Sequence, residues 1–370
     1  MSAVRRFLDE VSGIDDPRIE RCKLHPLPEI FLATLCGVIG NAEGWQDIED
    51  FAKAKLEVLR GYLPYVNGAP SDDTLRRVFR ALDADAFGAC FMAWVKTLRA
   101  LPEASVIALD GKTSRGSRDG DASPLHLVSA FATQARLVLG QTAVAEKSNE
   151  ITAIPELLDL LDIKGHIITI DAMGTQKDIA TKIVERGADY VLALKGNQST
   201  LHDDVRLFFE HTPSDMLPAT HEETDKGHGR IEVRKCSVTS DIAWLKENHD
   251  WCGLASVVRI ESTRIMGDKT TFETRYYISS LPPDPERLLH VVRSHWAIEN
   301  SLHWVMDMTL GDDASRIRKD HAPMNLAIIK HTALNLLQQA RQKRQSVRRL
   351  RNNAGWDATT LRRILAYTNS

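Results

Sequence analysis

The chain has 370 residues, of which 43% are hydrophobic and 26% charged, and its 47 Lys and Arg residues nearly balance its 50 Asp and Glu residues. This composition is typical of a globular protein of two or three domains, and it excludes a collagen, a wholly disordered chain and a disulfide-stapled mini-protein. The apolar run around Ile30–Ile39 is too short to span a bilayer, no signal peptide is recognisable, and the five scattered cysteines indicate the reducing cytoplasm.

Residues 1–95 are predicted to be helical. Apolar residues recur at helical spacing in Ile30–Ile39, Ile48–Tyr62 and Leu75–Phe87. Ser71, followed by two aspartates, is typical of a helix N-terminus, because its hydroxyl can accept a hydrogen bond from a free backbone N–H group. Three or more helices of this size predict a small helical domain.

After residue 100 the pattern changes to short apolar strands and intervening helices. The predicted strands are Ser105–Asp110, Leu125–Ala132, Leu137–Ala143, His166–Asp171 and Asp189–Lys195. The second and third are close enough to form a hairpin, whereas helices over Thr152–Leu161 and Thr175–Arg186 connect the later strands. We therefore expect a mixed α/β core with parallel central strands.

The remainder of the chain is predicted to contain an insertion, two long helices and a basic tail. The insertion, at about residues 200–285, is β-rich, with candidate strands Ile231–Thr239, Leu254–Thr263 and Thr271–Ser280. The long helices are expected over about Glu286–Leu310 and Pro323–Gln342. From residue 338 onward eight basic residues stand against one acid, so the tail carries +7 and the net charge of −3 leaves −10 for the rest. This asymmetry favours a polyanionic partner, although a solvated helix face explains it equally well.

Two aspartates end apolar strands of the predicted core. Asp110 follows the first strand and Asp171 the fourth. In open α/β sheets ligands bind beyond the carboxyl ends of the strands, and neighbouring strands would bring these two acids together. Each alone has a structural explanation, because Asp110 precedes a glycine in a turn-forming pair and Asp171 could cap the following helix.

Glu299 is the third candidate carboxylate. It lies in an otherwise apolar and aromatic stretch, and α-helical spacing puts His295, Glu299 and His303 on one face. The alternative is an ordinary surface glutamate flanked by histidines that serve packing, since no His-Glu-x-x-His motif is present.

Three carboxylates from separate elements predict a hard oxygen site suited to Mg²⁺ or Mn²⁺ rather than zinc. Two such ions can clamp the attacking and leaving oxygens of an in-line phosphoryl displacement without a covalent nucleophile. Such a cluster without a cation should repel itself and raise at least one carboxyl pKa. The sequence contains no P-loop, no Gly-x-Ser-x-Gly motif and no dinucleotide-binding glycine pattern.

Several short motifs, specific as a set, resemble those of the DDE insertion-sequence transposases of the ISAs type, also called the H-repeat-associated protein group. They are Asp110-Gly111-Lys112, Lys147-Ser148-Asn149-Glu150, Asp171 to Gln176, Leu194 to Gln198, Gly227 to Glu232, Arg293 to Asn300 and Asp312 to Arg318. The resemblance covers about residues 10–340.

The resemblance implies a transposase-associated helical domain over residues 1–95, an RNase H-like DDE catalytic core over 100–340 and a helical basic tail over 341–370. Asp110, Asp171 and Glu299 would be the catalytic residues and metal ligands. The implied activity is metal-dependent cleavage of DNA at insertion-element ends, followed by 3′-hydroxyl strand transfer into target DNA. Two alternatives stay open: a metal-dependent nuclease without strand transfer, and a domesticated, non-catalytic DNA-binding protein, which the intact carboxylate set disfavours.

The implied partners are double-stranded DNA, as terminal inverted repeats and as target, and further copies of the chain in a homodimer or larger assembly on DNA. No membrane partner is expected, and the protein should be cytoplasmic and nucleoid-associated.

Phosphates bind Lys and Arg, and amide side chains can reach base edges. The expected DNA contacts are Lys112, Lys195, Asn197, Gln198, Arg230, Arg293, His295, Trp296, Asn300, Arg316 and Arg318. Trp296 and Trp304 could stack on an unpaired base, although tryptophans on an apolar helix usually belong to a core.

Two features depart from the wider hairpin-forming group of these enzymes. Where that group has Tyr, Arg, Glu and Lys on the glutamate helix, this sequence has Val292, His295, Glu299 and Met306, which leaves open whether DNA hairpins form. The pair Asp312-Asp313 offers a competing third acid.

The N-terminal helices and the tail are expected to hold the duplex, so that deleting residues 341–370 weakens binding and flattens its salt dependence.

Overall fold

The computed structural model describes residues 1–98, 100–120, 123–145, 148–212, 219–227 and 229–367. Lys147 and His228, two residues of the motifs above, lie outside these ranges, as does the end of the basic tail beyond residue 367.

The N-terminal part is helical, as predicted. Its helices are α1 (Ala3–Val11), α2 (Leu27–Ile39), α3 (Trp45–Ala54), α4 (Leu56–Arg60), α5 (Asp72–Ala81) and α6 (Ala84–Leu98), with a short 3₁₀ turn at Glu20–Cys22. Ser71 caps α5 by accepting a hydrogen bond from the backbone N–H of Thr74. Phe7, Phe31 and Trp94 are fully buried at the centre of this domain.

The stretch Glu20–Ile39 has the length and apolar composition of a membrane span, but 72% of its most apolar window is buried inside the protein. It includes α2, in which Ile30, Phe31 and Leu35 have no exposed surface. This burial is what the core helix of a globular domain requires.

The core sheet has nine strands in the order β3-β2-β1-β4-β5-β9-β8-β7-β6. Its first five strands are β1 (Val106–Thr113), β2 (His126–Ala132), β3 (Leu137–Ala143), β4 (Ile167–Ile170) and β5 (Asp189–Leu194). β1, β4 and β5 are parallel, whereas β2 and β3 form the predicted antiparallel hairpin. Helices α7 (Glu150–Leu160) and α8 (Lys177–Glu185) connect them, and short 3₁₀ turns stand at Arg115–Ser117 and Gly196–Gln198. The expected RNase H-like mixed sheet is confirmed.

The inserted segment extends this sheet instead of forming a separate layer. After α9 (Ser199–His211) come β6 (Ala219–Gly227), β7 (Arg230–Thr239), α10 (Ala243–Asn248), β8 (Ser256–Met266) and β9 (Lys269–Ser279). β9 pairs antiparallel with β5, which joins the insertion to the core. The sequence did not predict β6, because most of its nine residues are polar and the strand forms the edge of the sheet.

The predicted long helix after the insertion is interrupted at its functional residue. α11 (Pro285–Ile298) leads into a π-helical turn over Glu299–His303, and α12 (Trp304–Met308) follows. Eight residues of α-helix would rotate His303 about 80° away from His295. The π turn takes up part of this rotation, so both imidazoles reach the sheet: His295 at Thr169 of β4 and His303 at Asp110 of β1.

The basic tail is helical, as predicted, and it packs against the N-terminal helices. After α13 (Ala322–Ala340), the tail forms α14 (Val347–Trp356) and α15 (Ala358–Leu365). Leu350, Leu361 and Ile364 are fully buried in the same core as the N-terminal helices. Arg351, only 1% exposed, donates to the backbone oxygen of Val38 at the end of α2. An apolar stripe at helical spacing docks the tail, while most of its cations stay on the outer face.

Candidate active site

Strand register explains why Asp110 and Asp171 lie at one edge of the sheet. β1 pairs in parallel with β4 up to Leu109 opposite Ile170, so each aspartate is the next residue on its strand. The prediction that Asp110 is the last residue of its strand is wrong. β1 continues to Thr113, and beyond Leu109 it pairs only with β2. The two acids therefore stand where the parallel sheet opens.

Glu299 reaches the same place from the helix that packs on these strands. A cavity of about 300 Å³ is lined by Asp110, Asp171 and Glu299, together with His295 and Lys195. The three predicted carboxylates thus face one cavity beyond the carboxyl ends of the parallel strands.

Asp110 and Glu299, which line this cavity, form a tight group with His303. One ligand atom from each lies within 4.8 Å of the others. His303 Nδ1 is 3.5 Å from Asp110 Oδ2 and 3.7 Å from Glu299 Oε2. Asp171 lines the cavity outside this group, and its Oδ1 accepts hydrogen bonds from the backbone N–H groups of Met173 and Gly174. Asp171 thus also shapes the loop that leads to α8.

The carboxyl group of Asp110 has a strongly perturbed protonation equilibrium. Burial, followed by the negative charge of Glu299, raises the pKa of Asp110 to about 8, with smaller contributions from Asp171 and Glu150. Burial and the nearby positive charge of Lys112 lower the pKa of His303 to about 4, so this imidazole is neutral at pH 7. The cluster therefore combines carboxylates that repel one another with an uncharged nitrogen base.

The donor set fits a divalent cation. Two carboxylates and a neutral imidazole offer oxygen and nitrogen lone pairs within 4.8 Å of one another. The repulsion between the carboxylates contributes to the raised pKa of Asp110. A cation bound between them would attract both carboxylates instead. Structural zinc sites usually depend on cysteine. The five cysteines of the chain are not part of this cluster, so it does not resemble such a site.

A fourth acid lies against the strand that carries Asp110. Glu150, the first residue of α7, has its Oε1 2.8 Å from His126 Nε2, and His126 Nδ1 is 2.7 Å from the hydroxyl of Thr113 on β1. A Cβ on Gly111 would collide with the Glu150 carboxylate and would lie 2.8 Å from His126 Nε2. Gly111 thus leaves the space that lets this pair approach the strand.

The competing acids Asp312 and Asp313 belong to a different cluster, which also includes Asp307. The Lys112 ammonium is 2.7 Å from Asp307, 3.2 Å from Asp312 and 3.5 Å from Asp313. Asp312 also accepts from Lys330 and from the Ser114 hydroxyl, and these lysines hold its pKa well below the usual range. Lysine ammonium groups already neutralise the acids of this cluster, so it is not an open metal site. The three acids of this cluster thus pair with Lys112, which the sequence predicts to be a DNA contact.

A second cavity, of about 500 Å³, adjoins the first and is rich in arginine. Its lining includes Arg230, Arg234, Arg264, Arg275, Arg293, Trp296 and Asn300. The two cavities share Arg275 and Trp296 in their walls, and the Arg275 guanidinium lies 4.6 Å from the centre of the Trp296 ring. We call the second cavity the arginine groove.

The predicted DNA contacts in and beside the arginine groove differ in their exposure and in whether other residues already engage them. Trp296 and Trp304 are 43% and 58% exposed, so the alternative that both are core residues is wrong. Arg293 forms ion pairs with Glu223 and Asp225 of β6, and Arg230 with Glu232. Asn300 donates to the backbone oxygen of Trp296. His295 is engaged by Thr169 at 3.0 Å.

The remaining predicted contacts lie on loops around the cavity. Lys195 is exposed at its rim. The side chain of Asn197 donates to the backbone oxygen of Ala172, and that of Gln198 to the backbone oxygen of Thr175. These two amides fasten the loop after β5 to the loop that follows Asp171. Arg318 donates to the backbone oxygen of Gly116, and Arg316 is exposed.

Sequence reasoning missed His303 and Glu150 as members of the site. Both stood inside quoted motifs or beside them, but only the fold shows that a π turn and a helix start aim them at β1. Val292 and Met306, at the positions of the missing Tyr and Lys, are 7% and 2% exposed.

Comparison with known proteins adds an independent line of information. The chain matches the family model described as DDE_Tnp_1-associated over residues 8–95 and the Transposase DDE domain over residues 101–336. It is 40% identical over 375 residues to "Putative transposase YncI" of Escherichia coli O157:H7, covering 98% of this chain and 95% of the relative. It is 38% identical over 376 residues to "H repeat-associated putative transposase YhhI" of Escherichia coli K12, covering 98% of each.

Proposed function

The chain belongs to the DDE transposase family, and from this premise we propose that Asp110, Asp171 and Glu299 are its catalytic carboxylates and that they hold Mg²⁺ or Mn²⁺. As a member of this family it is a DNA transposase, an enzyme that binds DNA and depends on a divalent metal. The observation that carries the proposal is the single cavity that receives all three carboxylates beyond the ends of the parallel strands.

Each carboxylate has a distinct task in this proposal. Asp110, on β1, supplies an oxygen 3.5 Å from His303 Nδ1 and within 4.8 Å of a Glu299 oxygen. Glu299 comes from the helix and closes the cavity opposite the strand, and Asp171 completes the wall while its backbone hydrogen bonds fix its orientation. When bound, divalent ions supply activation of the attacking oxygen and stabilisation of the leaving oxygen in phosphoryl displacement.

The proposed reaction has two steps at this cavity. A DNA strand is first cut at the end of the insertion element, which leaves a 3′-hydroxyl, and this hydroxyl then displaces a phosphodiester in target DNA. The number of phosphodiester bonds is conserved in the second step, so no external energy source is needed.

The arginine groove would carry the DNA backbone to the carboxylates. Its guanidinium groups offer paired N–H donors to phosphate oxygens, and the exposed ring of Trp296 at the junction offers a stacking surface for a base. Lys195 adds an exposed cation at the rim of the first cavity. Because Arg230 and Arg293 are paired with acids of β6 and β7, phosphates would have to replace these carboxylates.

We further propose that the DNA partners are the terminal inverted repeats of an insertion element and a target duplex. Bringing two element ends together calls for two active sites, which favours a homodimer or a larger assembly on DNA. A substrate of this kind would place the enzyme at the bacterial nucleoid.

The direct test is a plasmid assay. Full-length protein is incubated with Mg²⁺ and a plasmid that carries a marker between its genomic terminal repeats, and excised and joined products are scored. Asp110→Asn, Asp171→Asn and Glu299→Gln should each abolish both products and retain DNA binding, because phosphate contacts dominate affinity. Glu286→Gln, an exposed acid in the first turn of the same helix, is the matched control and should stay active. Cleavage by Glu299→Gln would refute the assignment, and cleavage without joining would refute strand transfer.

A further inference from the structure

His303 has an unusual environment for a histidine inside a protein. Its side chain is 8% exposed, and its Nε2 is buried without a hydrogen-bond partner among the described residues. Its Nδ1 faces Asp110 and Glu299 at 3.5 and 3.7 Å, longer than ordinary N–H···O hydrogen bonds. An imidazole that is buried and so poorly bonded needs a partner, because leaving a polar group unsatisfied is costly.

The neighbours of His303 do not supply a cation. Lys112 is the nearest lysine to act on it, but that ammonium is held by Asp307 and Asp312. His295 on the same helix is engaged by Thr169. Among the described residues, the two carboxylates and the imidazole therefore lie within 4.8 Å of one another, while the ammonium of Lys112 is held by other acids.

We propose that His303 is a nitrogen ligand of the divalent ion held by Asp110 and Glu299, and that it makes this site favour Mn²⁺ over Mg²⁺. The inference rests on the proposed function, since it concerns the same metal site. Ligands on neighbouring positions of an octahedral ion lie about 3 Å apart when the bonds are about 2.1 Å long, so the observed separations need only a small closure. Imidazole is accepted by transition ions much more readily than by Mg²⁺, which prefers oxygen and water.

Local structure supports this assignment. Glu299 and His303 are the first and last residues of the π turn, and π turns within α-helices occur frequently at functional sites. With the proton on Nε2, the neutral ring presents the lone pair of Nδ1 to the carboxylates.

The experiment adds Mn²⁺ alone to the metal-stripped full-length protein and records pulsed electron paramagnetic resonance. A ¹⁴N coupling of the imidazole type is expected in the unmodified protein and should be lost in His303→Leu and in His303→Asn. Loss of residues that merely orient ligands already costs about 10–100-fold in metal affinity, so His303→Leu should weaken Mn²⁺ binding at least about tenfold. His303→Asn, which offers an amide oxygen, should narrow the difference between Mn²⁺ and Mg²⁺ affinity in a competition titration.

His295→Leu is the matched control, because His295 is a partly buried histidine of the same helix and lines the cavity beside the carboxylates. It should keep the ¹⁴N coupling. Absence of this coupling in the unmodified protein, or its persistence in both His303 variants, would overturn the inference and leave the proposed carboxylate site intact. Mn²⁺ affinity that is unchanged in both Asp110→Asn and Glu299→Gln would refute the proposed metal site itself.

Discussion

Replacing Glu299 by Gln should have opposite effects on stability and on activity. The two carboxylates of Asp110 and Glu299 approach within 4.8 Å, and their repulsion contributes to the raised pKa of Asp110. Glu299→Gln removes this repulsion in the metal-free protein while it also removes a proposed metal ligand. The variant should therefore be more stable without metal and inactive with it.

The magnitude follows from the distance and the exposure. Two unit charges 4.8 Å apart repel by about 3.5 kcal/mol at an effective dielectric constant of 20. The Glu299 side chain is 51% exposed, so solvent screening should reduce the net effect to about 1 kcal/mol. For a chain of this length that corresponds to a rise in the unfolding temperature of roughly 1–2 °C.

The effect must depend on pH with a definite sign. Because the pKa of Asp110 is raised to about 8, the native state binds this proton more tightly than the unfolded chain does. Stability from this group is thus complete below about pH 4 and is lost as the pH rises towards 8. Glu299→Gln should flatten that decline near pH 8, and its effect should vanish well below that pH, where Asp110 is protonated in the native state and carries no charge for Glu299 to repel.

Thermal unfolding in a metal chelator, at several pH values between 4 and 9, measures this difference, and the plasmid assay measures activity. Glu286→Gln, with its exposed carboxylate, should leave both unchanged. A Glu299→Gln variant that is less stable at pH 8 in the absence of metal would show that the carboxylates do not repel each other as the structure implies.

Further perturbations test other parts of the molecule. Gly111→Ala places a Cβ against Glu150; we expect about 1–3 kcal/mol of destabilisation in thermal unfolding and a matching loss of plasmid cleavage, and a fully active variant would show that the close approach is not needed. Asp312→Asn leaves the buried Lys330 without its counter-charge and should cost about 3–5 kcal/mol; because the pKa of Asp312 is depressed, the loss should be full at neutral pH and fade as the pH falls below about 4. Deleting residues 341–370 should unfold the helical domain, since removing the fully buried side chain in Leu350→Ala alone should cost about 2–5 kcal/mol; a truncated protein that melts like the full chain would refute this. The double variant with Arg348→Gln and Arg349→Gln, at exposed positions, should instead flatten the slope of log DNA affinity against log salt by nearly two units if both contact phosphates, and an unchanged slope would leave them as solvated surface.

The sequence by itself determined the order of the elements and the elements that carry the carboxylates. Apolar runs with a period of two or of 3.6 residues predict strands and helices directly, because each element must bury one face. The parallel strands ending near Asp110 and Asp171 follow from this pattern, as does the hairpin between β2 and β3. Burial of a face is a local requirement, so it leaves a local trace in the sequence.

Polar segments left no such trace. β6 consists almost entirely of polar residues and is stabilised by hydrogen bonds to β7, which a pattern of hydrophobicity does not reveal. The π turn at Glu299 likewise depends on how the helix fits the sheet beneath it. Both features arise from pairing and packing between distant parts of the chain.

The tertiary structure alone decided what the charged residues do. Eight basic residues near the C-terminus predict a helical basic tail that helps to hold DNA; in the structure Arg351 is buried against α2, and the apolar side of the tail completes the helical core. Lys112, predicted to contact DNA, is surrounded by acids that follow it by about 200 residues. His303, which the sequence presents as a packing residue, lies with its Nδ1 3.5 Å from Asp110. A charge acts through its neighbours at a few ångströms, and residues far apart in the sequence become such neighbours only when the chain is folded.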